Sequence, residues 1–227
     1  MNVKITEKQH KELCKYDYEE YLFGSRLHGI ATSESDYDYV RVIPDSFYDN
    51  FTTLAKYFPN IHSWQYDGEN NAQYVWMTET QFYKNLFSGD GNMIADIVLL
   101  SDKWGQAEAL KMCRTYKVIK GYLGVGKRDL KLHGNNEKKR FHSWRSIYMA
   151  LTLLRKQVPS KEGIQNLKKY RLPKKEELFE LEKQYREELN SLLNKGEIDM
   201  YPNYDETHNS LVQTMVDSNN IREFKYD

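Results

Sequence analysis

The sequence predicts an α+β protein in which a small mixed sheet is followed by a helical part. Over residues 1–105, short runs of strand-forming residues alternate with helical segments, whereas beyond residue 105 apolar residues recur at helical spacing. At 227 residues, the chain is long enough for one large domain or two small ones. We therefore divide it into residues 1–105 and 106–227, with the boundary near 103–108.

The first part carries several predicted strands and two predicted helices. Thr6 and Gln9 form a capping-box pair at the start of the first helix. The second helix begins after its cap, Thr78, and ends near Ser88, where the segment SGDGN breaks it. Strand-forming residues predict strands at residues 19–23, 37–43, 73–77 and 95–100.

The second part is predicted to be helical, with a polar tail. Helical periodicity covers residues 105–124, 135–157 and 174–196, and the last of these ends at Gly196. Residues 197–227 are polar, and we expect them to be irregular. Residues 45–72 are aromatic and rich in Asn and Gly, and they receive no firm assignment.

Charge is distributed unevenly along a chain whose formal net charge is zero. Residues 1–110 carry 9 Lys/Arg and 17 Asp/Glu, whereas residues 111–145 carry 11 Lys/Arg and only two acids, a net charge of +9. An acidic part followed by a basic segment suits a site that binds both cations and phosphates. A chance asymmetry of solvated surface explains the same pattern.

The chain carries the features of a cytoplasmic protein. Cys14 and Cys113 are far apart and form no metal-binding spacing, which is typical of free thiols in a reducing compartment. The N-terminus is charged and lacks the apolar core of a signal peptide. No apolar run approaches the roughly 20 residues that span a bilayer, so we expect no membrane segment.

Two aspartates, Asp36 and Asp38, lie in a segment of strand-forming residues, where aspartate is depleted. Alternation along a strand puts both side chains on one face, about 7 Å apart. Two carboxylates so placed repel each other unless a cation lies between them, and Mg²⁺ (or Mn²⁺) suits that position. Two such ions can clamp an in-line phosphoryl displacement. A solvated hairpin with two acids is the alternative.

The residues Gly24, Ser25 and Arg26 precede the two aspartates and follow a predicted strand. A glycine there allows close backbone approach to a ligand, and backbone N–H groups, a serine hydroxyl and a guanidinium can hold phosphate oxygens. A Gly-Ser pair is common by itself. Together with the two aspartates on the next strand, it predicts a phosphate end beside a metal site.

The stretch GSRLHGIATSESDYDY, residues 24–39, resembles the DNA polymerase beta-like nucleotidyltransferase superfamily. More narrowly, it resembles the bacterial and phage predicted nucleotidyltransferases related to the RNA-repair-pathway polymerase-beta group. Members share a Gly-Ser-Arg, a His-Gly and a Ser-Asp-x-Asp at very similar spacing, nearly continuously over residues 24–38. This resemblance implies a polymerase beta-like catalytic domain at residues 1–105, with Asp36 and Asp38 as metal ligands.

The resemblance also implies a third carboxylate on a further strand. The segment SGDGNMIADIVLL stands in that place, and Asp96 is the matching acid where the group more often has glutamate. Asp90 and Asp102 are the fallbacks, and Asp96 could equally cap a strand end at the surface. The group usually has a proline near Asn92, which this chain lacks.

A second similar segment is KKRFHSWRSIYMALTLL. The resemblance implies phosphate or acceptor binding by Lys138 or Lys139, His142 and Arg145, of which Lys138, His142 and Arg145 share one helix face. A solvated basic stripe is the alternative. His28, within the Gly-Ser-Arg stretch, is more typical of an ordinary surface or core histidine than of a ligand.

Two functions follow as expectations. The first is a metal-dependent nucleotidyltransferase that moves a nucleoside monophosphate from a nucleoside triphosphate to an acceptor, such as an RNA or DNA hydroxyl. The second is a non-catalytic, antitoxin-like or regulatory protein that binds nucleotide or nucleic acid on the same fold. The basic, aromatic segment 111–145 motivates the second function. The candidate acids and the Gly-Ser-Arg favour the enzyme.

Overall fold

A computed structural model describes residues 3–44, 63–89 and 92–201 and confirms the α+β class. The first part of the chain contains all the strands of the described residues and four of the described helices. They are β1 (Val3–Lys4), α1 (Glu7–Leu13), β2 (Glu19–Phe23), α2 (Gly24–Leu27), β3 (Tyr37–Ile43), β4 (Ser63–Asp67), β5 (Ala72–Thr78), α3 (Glu79–Ser88) and α4 (Asn92–Leu100).

The second part of the described chain is helical throughout, as predicted. Its helices are α5 (Gln106–Cys113), α6 (Tyr116–His133), α7 (Glu137–Leu154), α8 (Lys161–Leu167) and α9 (Lys175–Asn194). The sequence pattern did not indicate α8, a short helix capped by the Ser160 side chain. Most of the predicted irregular tail lies outside the described residues.

The described strands form one mixed sheet in the order β1-β4-β5-β3-β2. β2 and β3 are antiparallel, whereas β3 and β5 run parallel, with Asp38 opposite Gln73. Both predicted helix caps are confirmed, since Thr6 and Gln9 make a full capping box and the Thr78 side chain accepts from the Gln81 backbone N–H. The two faces of this sheet carry different hydrophobic cores.

One face of the sheet carries the main hydrophobic core. Val40 and Val42 of β3 point into it and pack with helices from both parts of the chain, including buried residues of α6, α7 and α9. This core crosses the predicted boundary near residues 103–108. The division into residues 1–105 and 106–227 stays a prediction about sequence organisation, because the two parts share one core.

The opposite face carries a second, smaller core and a row of stacked rings. Leu13 of α1 packs with Ile43, Trp64 and Trp76. Beside them, neighbouring ring centroids lie between 4.1 and 6.3 Å apart along a row that we call the tyrosine ladder. Its members, in order, are Tyr37, Tyr39, Tyr74, Tyr66 and His10.

The predicted strand at residues 95–100 is wrong, because this segment belongs to helix α4. Every residue from Ile94 to Leu100 is buried, so the helix is surrounded by protein and shows no polar face. A short, continuous apolar run fits a buried strand and a buried helix equally well by periodicity. No helix within the described residues is both long and apolar enough to span a membrane.

Candidate active site

Asp36 and Asp38 lie where β3 begins, and Asp38 is on the face of the sheet that carries the main core. Asp38, Val40 and Val42 alternate along β3, and the two valines are buried in the main core. Asp36 directly precedes the strand and is exposed, whereas Asp38 is half-buried. The side chain of Asp38 therefore points to the same face as the two valines, whereas the same-face placement of Asp36 stays a prediction.

The two carboxylates have no charge partner within residues 3–44, 63–89 and 92–201. No hydrogen bond or ion pair joins either carboxylate to another described group. Burial, followed by the charge of Asp36, raises the pKa of the Asp38 carboxyl above its ordinary value. A partly buried acid beside a second acid, without a cation, is an arrangement that a bound cation would stabilise.

Gly24 brings backbone against Asp38. It follows β2, whose last residue, Phe23, pairs with Asp38, and its φ of +68° lies in the left-handed region that favours glycine. A Cβ atom at Gly24 would lie 2.3 Å from Oδ2 of Asp38. The absent side chain therefore leaves room beside the carboxylate, and the predicted approach of this backbone to a ligand stays a prediction. Ser25 is half-buried in the same short helix, α2.

Arg26 is engaged in fixing the loop that carries the aspartates. Its guanidinium donates to the backbone carbonyl of Ser35 at 2.7 Å and to that of Asp36 at 3.1 Å. The guanidinium carbon also lies 3.5 Å from the ring centroid of Tyr37. These contacts give Arg26 a positioning role that sequence analysis did not foresee. Its predicted contact with phosphate stays a prediction.

Asp96 does not stand on a strand beside the other two acids. It lies on α4, only 4% exposed, where its two carboxylate oxygens accept hydrogen bonds from His28 and Tyr122. Within the described chain, no group of three or more His, Cys, Asp or Glu side chains is arranged to hold a metal ion. The assignment of Asp96 as third metal ligand therefore gains no support from this geometry. Asp102 is exposed, and Asp90 lies outside the described residues.

The basic residues of α7 that the sequence predicts for phosphate binding differ in burial and in contacts. Arg145 is half-buried and donates to Nδ1 of His28 at 3.3 Å, which joins α7 to the loop after Gly24. His142 is half-buried, and burial, followed by the charges of Arg145 and Lys139, lowers its pKa to about 4. Lys138 is exposed near the start of the helix.

Several contributing residues were missed in the sequence. His28 is fully buried, and its two ring nitrogens link Asp96 to Arg145, a contact that the sequence pattern does not indicate. Gln73 is the neighbour of Asp38 on the parallel strand β5, so an exposed amide stands on the same sheet face. Gln165 and Lys168, in and just after α8, donate to the backbone carbonyls of residues 29 and 30. No local pattern indicates contacts between residues so far apart along the chain.

The donor set fits a hard divalent cation such as Mg²⁺ or Mn²⁺. Asp36 and Asp38 supply carboxylate oxygens, which such ions prefer, and Gly24 leaves the space that a Cβ would fill. Two carboxylates are enough for Mg²⁺ when substrate phosphates and waters complete its coordination. A scan against protein-family models finds no match for this chain, and a search of curated proteins finds none either.

Proposed function

We propose that this chain is a metal-dependent nucleotidyltransferase. It would transfer a nucleoside monophosphate from an NTP or dNTP to an acceptor hydroxyl and release pyrophosphate. The single observation that carries the proposal is the pair Asp36 and Asp38. The two acids lie close enough for the charge of Asp36 to raise the pKa of Asp38, they have no charge partner among the described residues, and Asp38 lies against the backbone of Gly24.

In the proposed mechanism, Asp36 and Asp38 hold the cation, which neutralises phosphate charge when bound. Residues 24–26 border the triphosphate, and Arg26 keeps Ser35 and Asp36 in place through their carbonyls. The acceptor oxygen bonds to the α-phosphorus while the bond from that phosphorus to the β-phosphate bridging oxygen breaks. The acceptor proton passes to solvent. Positioning and charge neutralisation supply the rate enhancement.

The acceptor proposed is a nucleic acid, on the basis of one face of α6. At helical spacing, its exposed and half-exposed cations fall within an arc of about 100°. They are Lys117, Lys120, Lys127, Arg128 and Lys131, and we call them the α6 basic stripe. Arg128 pairs with the buried carboxylate of Asp129 and Lys127 lies 3.6 Å from Glu182, whereas no described acid pairs with the other three lysines of the stripe. Gly124 lies within the arc with open space where a side chain would be. Such a stripe matches a phosphate backbone.

The decisive experiment is incubation with each labelled NTP and dNTP, Mg²⁺ or Mn²⁺, and RNA, DNA, protein and small-molecule acceptors. Transfer of label by the wild type is expected, together with its loss in Asp36→Asn and Asp38→Asn. Asp17→Asn is the matched control, since Asp17 is an exposed aspartate without a proposed role, and it should retain activity. Full activity in both site variants would refute the assignment of the site.

The non-catalytic function keeps one specific observation in its favour. Among the described residues, two carboxylates and no third lie together where β3 begins, and the neighbour of Asp38 on β5 is the amide of Gln73. A protein that binds nucleotide without turnover would need no further acid. Tight, magnesium-dependent binding of nucleotide with no pyrophosphate release for any acceptor would favour this second function over the first.

A further inference from the structure

Four polar side chains form a continuous hydrogen-bonded chain beneath the candidate site. The Tyr122 hydroxyl donates to Oδ1 of Asp96 at 2.6 Å, and Oδ2 of Asp96 accepts from Nε2 of His28 at 2.9 Å. Nδ1 of His28 lies 3.3 Å from a guanidinium nitrogen of Arg145. We call this set the buried relay. It joins α6, α4, the loop after α2, and α7.

The hydrogen-bond directions in the buried relay are fixed by its chemistry. A guanidinium only donates, so Nδ1 of His28 accepts from Arg145 and the proton of the neutral ring lies on Nε2. Burial, followed by the charge of Asp96, raises the pKa of Tyr122 well above its ordinary value, so the phenol stays protonated and donates. Burial opposes ionisation of Asp96, but His28, Arg145 and Tyr122 together hold its pKa below the usual range. The carboxylate is therefore ionised, and both of its oxygens accept a hydrogen bond.

Arg145 is the end of the buried relay that reaches solvent. His28, Asp96 and Tyr122 are at most 4% exposed, whereas Arg145 is half-buried. The backbone N–H of His28 also donates to the carbonyl of Gly24 at 3.2 Å. At His28, the relay therefore meets the short helix that begins at Gly24, the residue that lies against Asp38.

Arg145 is linked to Asp96 only through His28, and this leaves most of its guanidinium N–H donors available to a ligand. A direct bidentate carboxylate pair would occupy its donor fork. Here the negative charge of Asp96 acts through a neutral imidazole, and Arg145 makes no other side-chain hydrogen bond to the described residues. Its orientation is held, its charge is balanced in part, and most of its N–H donors remain free for a ligand.

We infer that Tyr122, Asp96 and His28 position the guanidinium of Arg145 to bind the triphosphate of the nucleotide. This narrows to the triphosphate the phosphate or acceptor binding that the resemblance implies for Arg145. The inference rests on the proposed function and deepens it. Asp96 becomes a positioning residue in place of the metal ligand that the sequence suggested. The ligand class is a polyphosphate, because a planar fork of donors matches phosphate oxygens.

The test is calorimetric titration of Mg²⁺·ATP and of inorganic tripolyphosphate into the full chain. Arg145→Met should weaken both affinities by about tenfold or more, the loss expected for a charged hydrogen bond. His28→Ala should weaken them similarly, and His28→Gln should recover most of the loss, because its amide donates to Asp96 and accepts from Arg145. The double variant His28→Ala/Arg145→Met should be no weaker than Arg145→Met alone.

Matched controls and a spectroscopic readout separate positioning from general stability. His133→Ala and Lys156→Met replace a histidine and a cation outside the relay and should leave both affinities unchanged. The imidazole ¹⁵N spectrum of His28 should report the Nε2-protonated neutral tautomer in the wild type and a changed Nε2 resonance in Asp96→Asn. Circular dichroism checks the fold, and if His28→Ala fails to fold, His28→Gln and Arg145→Met still decide the question.

Each outcome decides between the two proposals. Unchanged tripolyphosphate affinity in Arg145→Met overturns the inference and leaves the proposed nucleotidyltransferase standing. Weakened binding in Arg145→Met without recovery in His28→Gln overturns the positioning role. A folded wild type that binds neither Mg²⁺·ATP nor tripolyphosphate overturns both the inference and the proposed function.

Discussion

Because Gly24 has no side chain, the backbone at the end of β2 can lie directly against the carboxylate of Asp38. Gly24→Ala adds a Cβ that would lie 2.3 Å from Oδ2 of Asp38 and places alanine at a φ of +68°. We expect a loss of unfolding free energy above the ~1–2 kcal/mol of left-handed strain alone, together with weaker Mg²⁺ binding. Urea unfolding and calorimetric Mg²⁺ titration measure the two effects.

The control is Gly124→Ala, in the middle of α6. No atom lies within 4 Å of the Cβ it would add, and helix propensity should raise the unfolding free energy by about 0.5–1 kcal/mol. Opposite signs for the two glycine variants are therefore expected. A Gly24→Ala variant as stable as the wild type would contradict the close approach between Gly24 and Asp38.

Asp38 should lower the stability of the metal-free protein near neutral pH. Burial and Asp36 raise its folded pKa, so the native state holds a proton over a pH range in which the unfolded chain has already lost it. The unfolding free energy contributed by this group is present below pH ~3.8–3.9 and is lost as pH rises through the folded pKa. Asp38→Asn should therefore unfold at higher urea than the wild type at pH 7, and this advantage should shrink toward pH 3.5.

Asp102→Asn serves as the comparison, because Asp102 is an exposed aspartate and its replacement should change the unfolding free energy little. Metal should reverse the order. With Mg²⁺ present, the wild type gains stability by binding, and Asp38→Asn does not. A less stable Asp38→Asn at pH 7 without metal would show that the carboxylate has a stabilising partner.

At the scale of elements, the helices and strands with local signals were predicted well. The Thr6 and Thr78 caps, the strands at residues 19–23 and 37–43, and the long charged helix that became α9 each have their determinants within a few residues. The segment at 95–100 was wrong, because its burial on all sides comes from the rest of the fold and not from its own pattern. Local patterns carry no such information.

In the candidate site too, the residues with local sequence signals could be predicted and those joined by tertiary packing could not. The spacing from Gly24 to Asp38 lies within one hairpin-like connection, so the sequence could predict that these residues meet. The contacts of His28 with Asp96 and Arg145 join residues that are 68 and 117 positions apart. Only tertiary packing brings them together, and the motif therefore indicated the carboxylates but not the support beneath them.

The α6 basic stripe gives a prediction about salt dependence. From Lys117 to Lys131 it is about 21 Å long, which is the reach of several nucleotides of a single strand. Replacing Lys117, Lys120 and Lys131 by Gln should weaken single-stranded RNA binding. The slope of log affinity against log salt should become shallower by about 2, if each lysine neutralises one phosphate. Fluorescence anisotropy over a salt series measures both quantities.

A matched triple variant replaces exposed lysines of the same number elsewhere. Lys161, Lys169 and Lys183 lie in or near α8 and α9, outside the stripe. Their replacement by Gln lowers the net charge equally and should change the slope little. Equal slopes for the two triple variants would mean that overall charge, and not the α6 face, governs binding.

At the scale of the whole molecule, two side chains of the helical part of the chain are hydrogen-bonded to the loop that follows α2 in the sheet part. Gln165 donates to the carbonyl of Gly29 at 2.9 Å, and Lys168 donates to that of Ile30 at 3.1 Å. Replacing both by Ala should cost about 1–3 kcal/mol of unfolding free energy, since each hydrogen bond contributes roughly 0.5–1.5 kcal/mol. It should also weaken Mg²⁺·ATP binding, because the loop carries His28 and leads to Asp36.

Lys169→Ala is the control, because this exposed lysine follows Lys168 directly and has no side-chain contact with the loop among the described residues. Denaturation and nucleotide titration of the double variant and of the control give the comparison. Nucleotide affinity in the double variant equal to that of the wild type would show that the loop keeps its shape without α8.

The tyrosine ladder also gives the protein an intrinsic optical probe. Rings at this separation couple their electronic transitions, so the near-ultraviolet circular dichroism depends on how the ladder is stacked. One end is Tyr37, which lies between the two candidate metal ligands and beneath the guanidinium of Arg26. When a cation binds to Asp36 and Asp38, we expect the backbone of Tyr37 to shift and its ring to move relative to Tyr39. The near-ultraviolet dichroic band should then change. Occupancy of the site can then be followed without a label, a dye or a substrate.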